Sequence, residues 1–250
     1  MTRLVRTAKA AGAGLADLIW PRRSIIDRSL SDGPVSPADF GALTFLTGPS
    51  CRRCAAPQDA DLGPRALCAA CSAKPPRWDR ARAALAYDEV SKQPILALKR
   101  AGARDGLATL AGWMAAAGRD LLAEADLVTP VPLHYVRLVQ RGYNQAGWLA
   151  QAVGRAAGAP VCVDALKRAR RTRSQGGLSA RARRRNVAGA FKVRKSRRRR
   201  VAGKRIVLID DVYTTGATLN ACARALLKAG ASSVDVLVLA RVVRETDIAI

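Results

Sequence analysis

The chain is short of aromatic residues, acidic residues and histidine, and each shortage excludes something. Phe, Trp and Tyr make up 4% of its 250 residues. Base-stacking platforms of the kind single-strand readers use are therefore scarce. The single histidine is His134, so Ser-His-Asp and Cys-His machinery can hardly be assembled. Asp and Glu number 19 against 43 Lys and Arg, a net charge of +24. A balance that basic points to an anionic partner: nucleic acid, phosphorylated metabolites or anionic lipid. No run approaches the roughly 18–20 apolar residues of a membrane span. The basic start from Met1 to Lys9 leads into a stretch, Ala10 to Trp20, too short and (with Asp17) too polar for a secretory signal. A surface helix over Leu4 to Trp20 is expected, with a transit peptide left open. Six cysteines without such a signal argue against a disulfide framework and for a cytoplasmic setting.

Hydrophobic residues make up 49% of the chain, much of it alanine. One ordinary domain plus a small module fits this length, with a modest, alanine-packed core. The charge is uneven. Residues 166–205 hold 18 Lys and Arg and no acid. Two readings stay open for that stretch, an anion-binding surface and a general arginine bias. Phe191 is its only aromatic, so nonspecific electrostatic attraction to a nucleic-acid backbone is better supported than base readout.

Ser31 to Pro37 reads as a loop. Residues 50–76 form a cysteine module closed by Pro75-Pro76. Beyond Trp78, apolar runs alternate with helical stretches. Strands are expected over Ala83 to Tyr87, Asp126 to Pro132, Arg205 to Asp210 and Ser233 to Ala240. Helices are expected over Leu107 to Ala125, Asn144 to Ala157 and Ala217 to Ala229. That alternation predicts an α/β fold with a parallel sheet flanked by helices. No internal repeat is visible. Arg194 to Arg200 reads as a mobile or surface hinge.

Cys51-Arg-Arg-Cys54 and Cys68-Ala-Ala-Cys71 are two knuckles with 13 residues between them. Four thiolates so spaced close a tetrahedral zinc site, and with every ligand from protein the zinc is structural, one site per chain. Cys162 and Cys222 stand alone in apolar contexts and read as core.

The richest segment is Arg205-Ile-Val-Leu-Ile-Asp-Asp-Val-Tyr-Thr-Thr-Gly-Ala-Thr-Leu219. An apolar strand ends in two adjacent carboxylates, Asp210 and Asp211. Ligands of open α/β sheets gather at that edge. Adjacent like charges call for a cation or a pair of hydroxyls, such as a ribose diol with Mg²⁺. Thr214, Thr215, Gly216, Ala217 and Thr218 then open a helix as an anion nest, with Gly216 allowing close backbone approach. Diol and phosphate recognition so close together suit a sugar 5-phosphate.

This segment resembles the phosphoribosyl pyrophosphate (PRPP) signature of type I phosphoribosyltransferases. Asp126 to His134, Arg137, Arg141-Gly-Tyr-Asn-Gln145, Arg173 to Ser179, Arg185 to Phe191, Leu239-Ala-Arg241 and Ala97-Leu-Lys99 with Gly102 resemble the ComF-type family, which joins zinc ribbons to such a domain. The resemblance spans roughly residues 50–243. It implies an N-terminal appendage (1–49), a four-cysteine ribbon (50–76) and a phosphoribosyltransferase-like domain (78–245). It implies that Asp210 and Asp211 bind the ribose diol in the catalytic position and that Thr214 to Thr218 hold the 5-phosphate. The stretch from Pro130 through Pro132 to His134 looks like the pyrophosphate loop. Arg170 to Asn186, with Gln175, looks like the loop that folds over PRPP. Arg141 falls in a family motif and joins the substrate-binding candidates. Lys99 fits a pyrophosphate contact or a solvated helix end. For Asn144 and Gln145, capping and packing are favoured over ligand contact.

Two departures stand out. Family members carry a first cysteine knuckle where this chain has Ser24-Ile-Ile-Asp27, so the first ribbon is degenerate and one zinc is expected. Purine-type enzymes place a carboxylate base where Thr214 stands, which leaves the acceptor undefined. The family is associated with natural competence and the handling of imported single-stranded DNA. Two functions remain open: phosphoribosyl transfer from Mg²⁺-PRPP to an unnamed acceptor, and a noncatalytic module that senses PRPP or a nucleotide or holds single-stranded DNA among competence or recombination proteins. A homodimer is also left open.

Overall fold

The computed structural model describes residues 22–243 apart from 62, 100–103, 134–137, 140–141, 171–181, 183–184, 186 and 188. The helix expected over Leu4 to Trp20 lies outside the described residues. Where the family resemblance implies a degenerate first ribbon, residues 22–43 repeat the backbone of residues 51–74 without repeating its residue types. In residues 22–43 the Ser24 N–H donates to Ser29 O (2.9 Å) and the Arg28 N–H to Ser24 O (3.2 Å). In residues 51–74 the Cys51 N–H donates to Ala56 O and the Ala55 N–H to Cys51 O, both 2.8 Å. Arg28 (φ 68°) and Ala55 (φ 55°), the positive-φ residues other than glycine among the described residues, occupy the same place in each turn. A short helix follows in both units: α1 (Pro37–Ala42) begins at Ser36 (φ −70°, ψ 156°), and α2 (Ala69–Ala73) at Cys68 (φ −72°, ψ 158°). Ser24, Asp27, Ser36 and Asp39 thus stand where Cys51, Cys54, Cys68 and Cys71 stand. The Ser24 hydroxyl donates to the buried Asp39 carboxylate. Backbone hydrogen bonds and the two-residue spacing carry the likeness rather than shared side chains, which is why it escapes a reading of residue types. Ser24→Ala strips a buried carboxylate of its hydroxyl partner. It is expected to lower unfolding free energy by about 1–3 kcal/mol, read by thermal melting, with zinc content unchanged.

Four strands form one parallel sheet in the order β1-β6-β5-β2: β1 (Ala81–Ala86), β2 (Leu127–Pro130), β5 (Arg205–Tyr213) and β6 (Ser233–Arg241). Near-continuous apolar runs suit strands buried on both faces. Ile206 and Leu208 enter one core, Val207 and Ile209 the other. On the second face lie α3 (Lys92–Leu98), α4 (Leu107–Ala117), α5 (Arg119–Ala123) and α6 (Gln145–Ala157), with Ile25, Ile26 and Leu43 of the first unit. The other face carries α8 (Ala217–Lys228), a two-stranded antiparallel ladder of β3 (Leu166–Arg168) and β4 (Phe191–Val193), and the four-cysteine unit. Residues 44–46 run along the outer edge of β1, where the Leu46 N–H donates to Ala84 O and the Ala86 N–H to Thr44 O.

The helix expected over Leu107 to Ala125 is broken at Gly118, where a Cβ would stand 2.7 Å from Leu237. The strand expected to stop at Asp210 runs on to Tyr213, with Val212 and Tyr213 paired to Ala240 and Arg241 of β6. Arg194 to Arg200 is a 3-10 turn (Lys195–Arg197) leading into α7 (Arg198–Val201), exposed except where Arg197 binds Asp164 at 2.9 Å and stays half-buried. Among the described residues no helix is long and apolar enough to cross a membrane.

Candidate functional site

The acidic pair lies at the C-terminal edge of the sheet. Strand alternation sends its two side chains to opposite faces. Asp211 is buried and meets two groups from the helices of the second face. Lys99, just past α3, places Nζ 3.2 Å from Asp211 Oδ2. Gln145, the first residue of α6, donates from Nε2 to the same oxygen at 3.2 Å. Asp210 faces α8 and accepts the Asp211 N–H at 3.0 Å. Burial first, and the Asp211 charge second, push the Asp210 carboxyl well above its ordinary value, while Lys99 pulls the other way.

Three residues after Asp211 the chain turns into α8. Gly216 takes φ 67°, and a Cβ there would stand 2.9 Å from the Tyr213 ring and 3.0 Å from Trp78. Both backbone shape and space demand glycine. Thr214 is exposed, Thr215 and Thr218 are half-buried, and Gly216 and Ala217 are buried. The first-turn N–H groups of this 12-residue helix have no intrahelical acceptor, which suits an anion.

At the neighbouring strand end the Val131 N–H donates to Ile209 O (2.8 Å), and half-buried Pro132 follows. Asn144 donates from Nδ2 to Val131 O at 3.0 Å. The capping expected of Asn144 is not made: it is the N-cap residue of α6, yet its side chain gives no cap hydrogen bond and reaches across to this loop. Asn144 Oδ1 and the Tyr143 hydroxyl are buried with no hydrogen-bond partner among the described residues, a state that a polar ligand relieves. His134, Arg141 and Gln175 lie outside the described residues.

The four cysteines of the two knuckles converge as their spacing predicts. Their sulfur atoms all lie within 4.8 Å of one another, and Cys54 and Cys68 are 3.7 Å apart. A tetrahedron with Zn–S bonds of ~2.3 Å has edges of about 3.8 Å, so the group can hold a zinc ion. Hydrogen bonds from Cys54 and Cys71 pull the Cys51 thiol down. The hydrogen bond with Cys51 holds Cys71 up at about 12. Sulfurs this close ionise together when a cation sits among them. Cys162 and Cys222 are buried apart from this group, as expected of core residues.

A parallel sheet whose central strand ends in an acidic pair, followed by a Thr-Thr-Gly-Ala-Thr helix entrance, defines a phosphoribosyltransferase-type domain. The family described as "Phosphoribosyl transferase domain" matches residues 120–247. Competence protein F of Haemophilus influenzae is 40% identical over 116 residues, 46% of this chain and 50% of that protein. DNA utilization protein YhgH of Escherichia coli is 33% identical over 186 residues, 70% of this chain and 77% of that protein. Competence protein ComFC of Bacillus subtilis is 27% identical over 208 residues, 80% of each. The chain belongs to the ComF-type family of the type I phosphoribosyltransferase superfamily.

Proposed function

We propose that the chain binds PRPP or another ribose 5-phosphate together with Mg²⁺. Asp210 and Asp211 take the ribose hydroxyls, and Thr214 to Thr218 take the 5-phosphate. The juxtaposition of acidic pair and helix entrance at one strand end carries this reading. Val131 and Pro132 face the pyrophosphate. The substrate-binding roles of His134, Arg141 and Gln175 rest on the family resemblance alone. The unpartnered Asn144 Oδ1 and Tyr143 hydroxyl support a polar ligand beside them. Mg²⁺ supplies positive charge next to the acidic pair when it arrives with the pyrophosphate. Calorimetric titration of PRPP with Mg²⁺ tests the reading. Saturable binding is expected, and its absence at millimolar PRPP overturns it.

Transfer breaks the C1–O bond, and pyrophosphate leaves with the electron pair. The acceptor's lone pair closes the new bond at C1, and the acceptor sheds a proton. With Thr214 where a carboxylate base stands in purine-type enzymes, an acceptor that needs no base, such as an amine, fits best. Pyrophosphate release on adding an acceptor separates transfer from mere sensing. Lys99→Met is expected to weaken PRPP about tenfold, or ~1.4 kcal/mol, because a cation is lost beside a highly charged anion. Unchanged calorimetric affinity would leave Lys99 as a counter-ion of Asp211 alone.

One observation favours a second reading, single-stranded DNA binding within competence or recombination machinery. Lys167 and Lys192 are exposed and directly opposed on the β3–β4 ladder, and exposed Arg198, Arg199 and Arg200 follow β4 in the chain. Opposed like charges cost stability unless an anion meets them. Salt-sensitive DNA binding that ignores the acidic pair would support it. The three-part division at 1–49, 50–76 and 78–245 is part of this proposal, with 22–43 read as a degenerate first ribbon in which the Ser24–Asp39 hydrogen bond stands where metal ligands would. Free thiols throughout the described residues suit the cytoplasm.

A further inference from the structure

The four-cysteine knuckle and the phosphate loop lie on the same face of the sheet, and one side chain spans the gap between them. Trp78 is 1% exposed. Its indole N–H donates to Arg53 O, inside the Cys51–Cys54 knuckle, at 2.5 Å. Arg53 answers with its guanidinium, donating from Nη1 to Trp78 O at 2.7 Å and to Pro76 O at 3.1 Å. The far edge of the same indole lies under Gly216, 3.0 Å from where a Cβ would be. Its ring meets Tyr213 edge-on, with centroids 5.8 Å apart. Arg241 covers the Tyr213 ring at 4.8 Å. The strap before Trp78 is pinned to α8 as well, since the Arg77 N–H donates to Asn220 Oδ1 at 2.8 Å. A cavity of about 390 Å³ between the two parts is walled on one side by Cys54, Cys68 and Lys74 and on the other by Thr214, Thr215 and Asn220.

A structural zinc needs none of this. A ribbon that only stabilised the chain could pack anywhere on the sheet. Here the knuckle's backbone holds the ring on which the phosphate loop rests, and Gly216 has no room there even for a Cβ. The geometry points to Trp78 as a positioning residue: through it the metal-closed knuckle holds the Thr214–Thr218 loop in its anion-accepting shape, so zinc occupancy governs affinity for a sugar 5-phosphate. This rests on the ligand reading above.

The test compares zinc-loaded and chelator-stripped full-length chain, wild type and Trp78→Phe, with ribose 5-phosphate as the calorimetric probe. Phenylalanine keeps a buried ring but loses both the N–H and the edge that reaches Gly216. Zinc-loaded Trp78→Phe is expected to keep one zinc and to bind about tenfold more weakly. Trp113→Phe, a change on α4 at a ring that packs against Phe40 and Phe45, is expected to bind as wild type. Stripping zinc should weaken the wild type and add little in Trp78→Phe, because the link is already cut. Wild-type affinity in zinc-loaded Trp78→Phe, or equal loss on stripping in both proteins, overturns the inference. Should zinc-loaded wild type bind no ribose 5-phosphate, the ligand reading falls instead. The link is then read from the Gly216 amide resonance of ¹⁵N-labelled protein. It should move on stripping in the wild type and not in Trp78→Phe, and a resonance that stays put in the wild type overturns the link.

Discussion

Replacing both carboxylates, Asp210→Asn with Asp211→Asn, is expected to abolish detectable calorimetric binding of PRPP, a loss of at least about 100-fold, or ~2.7 kcal/mol. Two charged acceptors for the ribose hydroxyls go, and with them the negative charge that a cation meets. Retained binding would place the ligand elsewhere. The single changes should differ in a way the geometry sets. Asp211 is held by Lys99 and Gln145, whereas burial and its neighbour's charge raise Asp210. A carboxyl whose folded value lies above its unfolded value keeps its proton longer in the native state. Its contribution to stability is therefore full below the ordinary carboxylate range and is lost as pH rises toward the folded value. Asp210→Asn removes that loss. It should melt higher than the wild type at neutral pH, by about 2–4 °C for each kcal/mol regained, while binding PRPP worse. A cation arriving with the ligand favours the ionised form, so wild-type binding should release protons. The apparent enthalpy should then change with the ionisation enthalpy of the buffer, and Asp210→Asn should reduce that change.

Emptying the four-cysteine site of zinc is the second large effect expected. Cys51→Ser, or stripping with a chelator, should lower the melting temperature on the order of 10 °C. Cys51 is fully buried and shares a core cluster with Trp78, Ala81 and Tyr213. A metal assay should find one zinc per chain in the wild type, since Ser24, Asp27, Ser36 and Asp39 occupy the other unit's ligand positions. Two zincs, or a zinc-free variant as stable as the wild type, would contradict the structural role.

The legible parts of this protein are those whose chemistry is local in sequence. Ile206 to Thr218 carries strand, acids, turn and helix entrance in one uninterrupted run, and the structure keeps that order. The cysteine spacing is equally self-contained. What escaped depends on chain segments far apart. Asn144 reads as a cap because its helix follows at once, yet Val131 lies within its reach and takes the hydrogen bond. Lys99 is balanced between two readings until Asp211 is placed beside it by the packing of α3 against the sheet. Trp78 has no neighbour in sequence that hints at Gly216. The β3–β4 ladder pairs three-residue strands separated by a long basic segment, too short for any periodicity to show. A degenerate first ribbon follows from the family resemblance and not from the residues themselves, because the likeness of 22–43 to 51–74 is written in backbone hydrogen bonds, to which side-chain identity is nearly blind.

The strand order has a consequence for how the molecule is made. The outer strands β1 and β2 leave the ribosome long before β5 and β6, the two that lie between them. Until residues 205–241 emerge, β1 has its cover from residues 44–46 on one side and nothing on the other. Such long-range closure is slow and leaves strand edges open to wrong partners. Translation cut short before residue 205 yields a product that has lost the centre of its sheet along with the acidic pair.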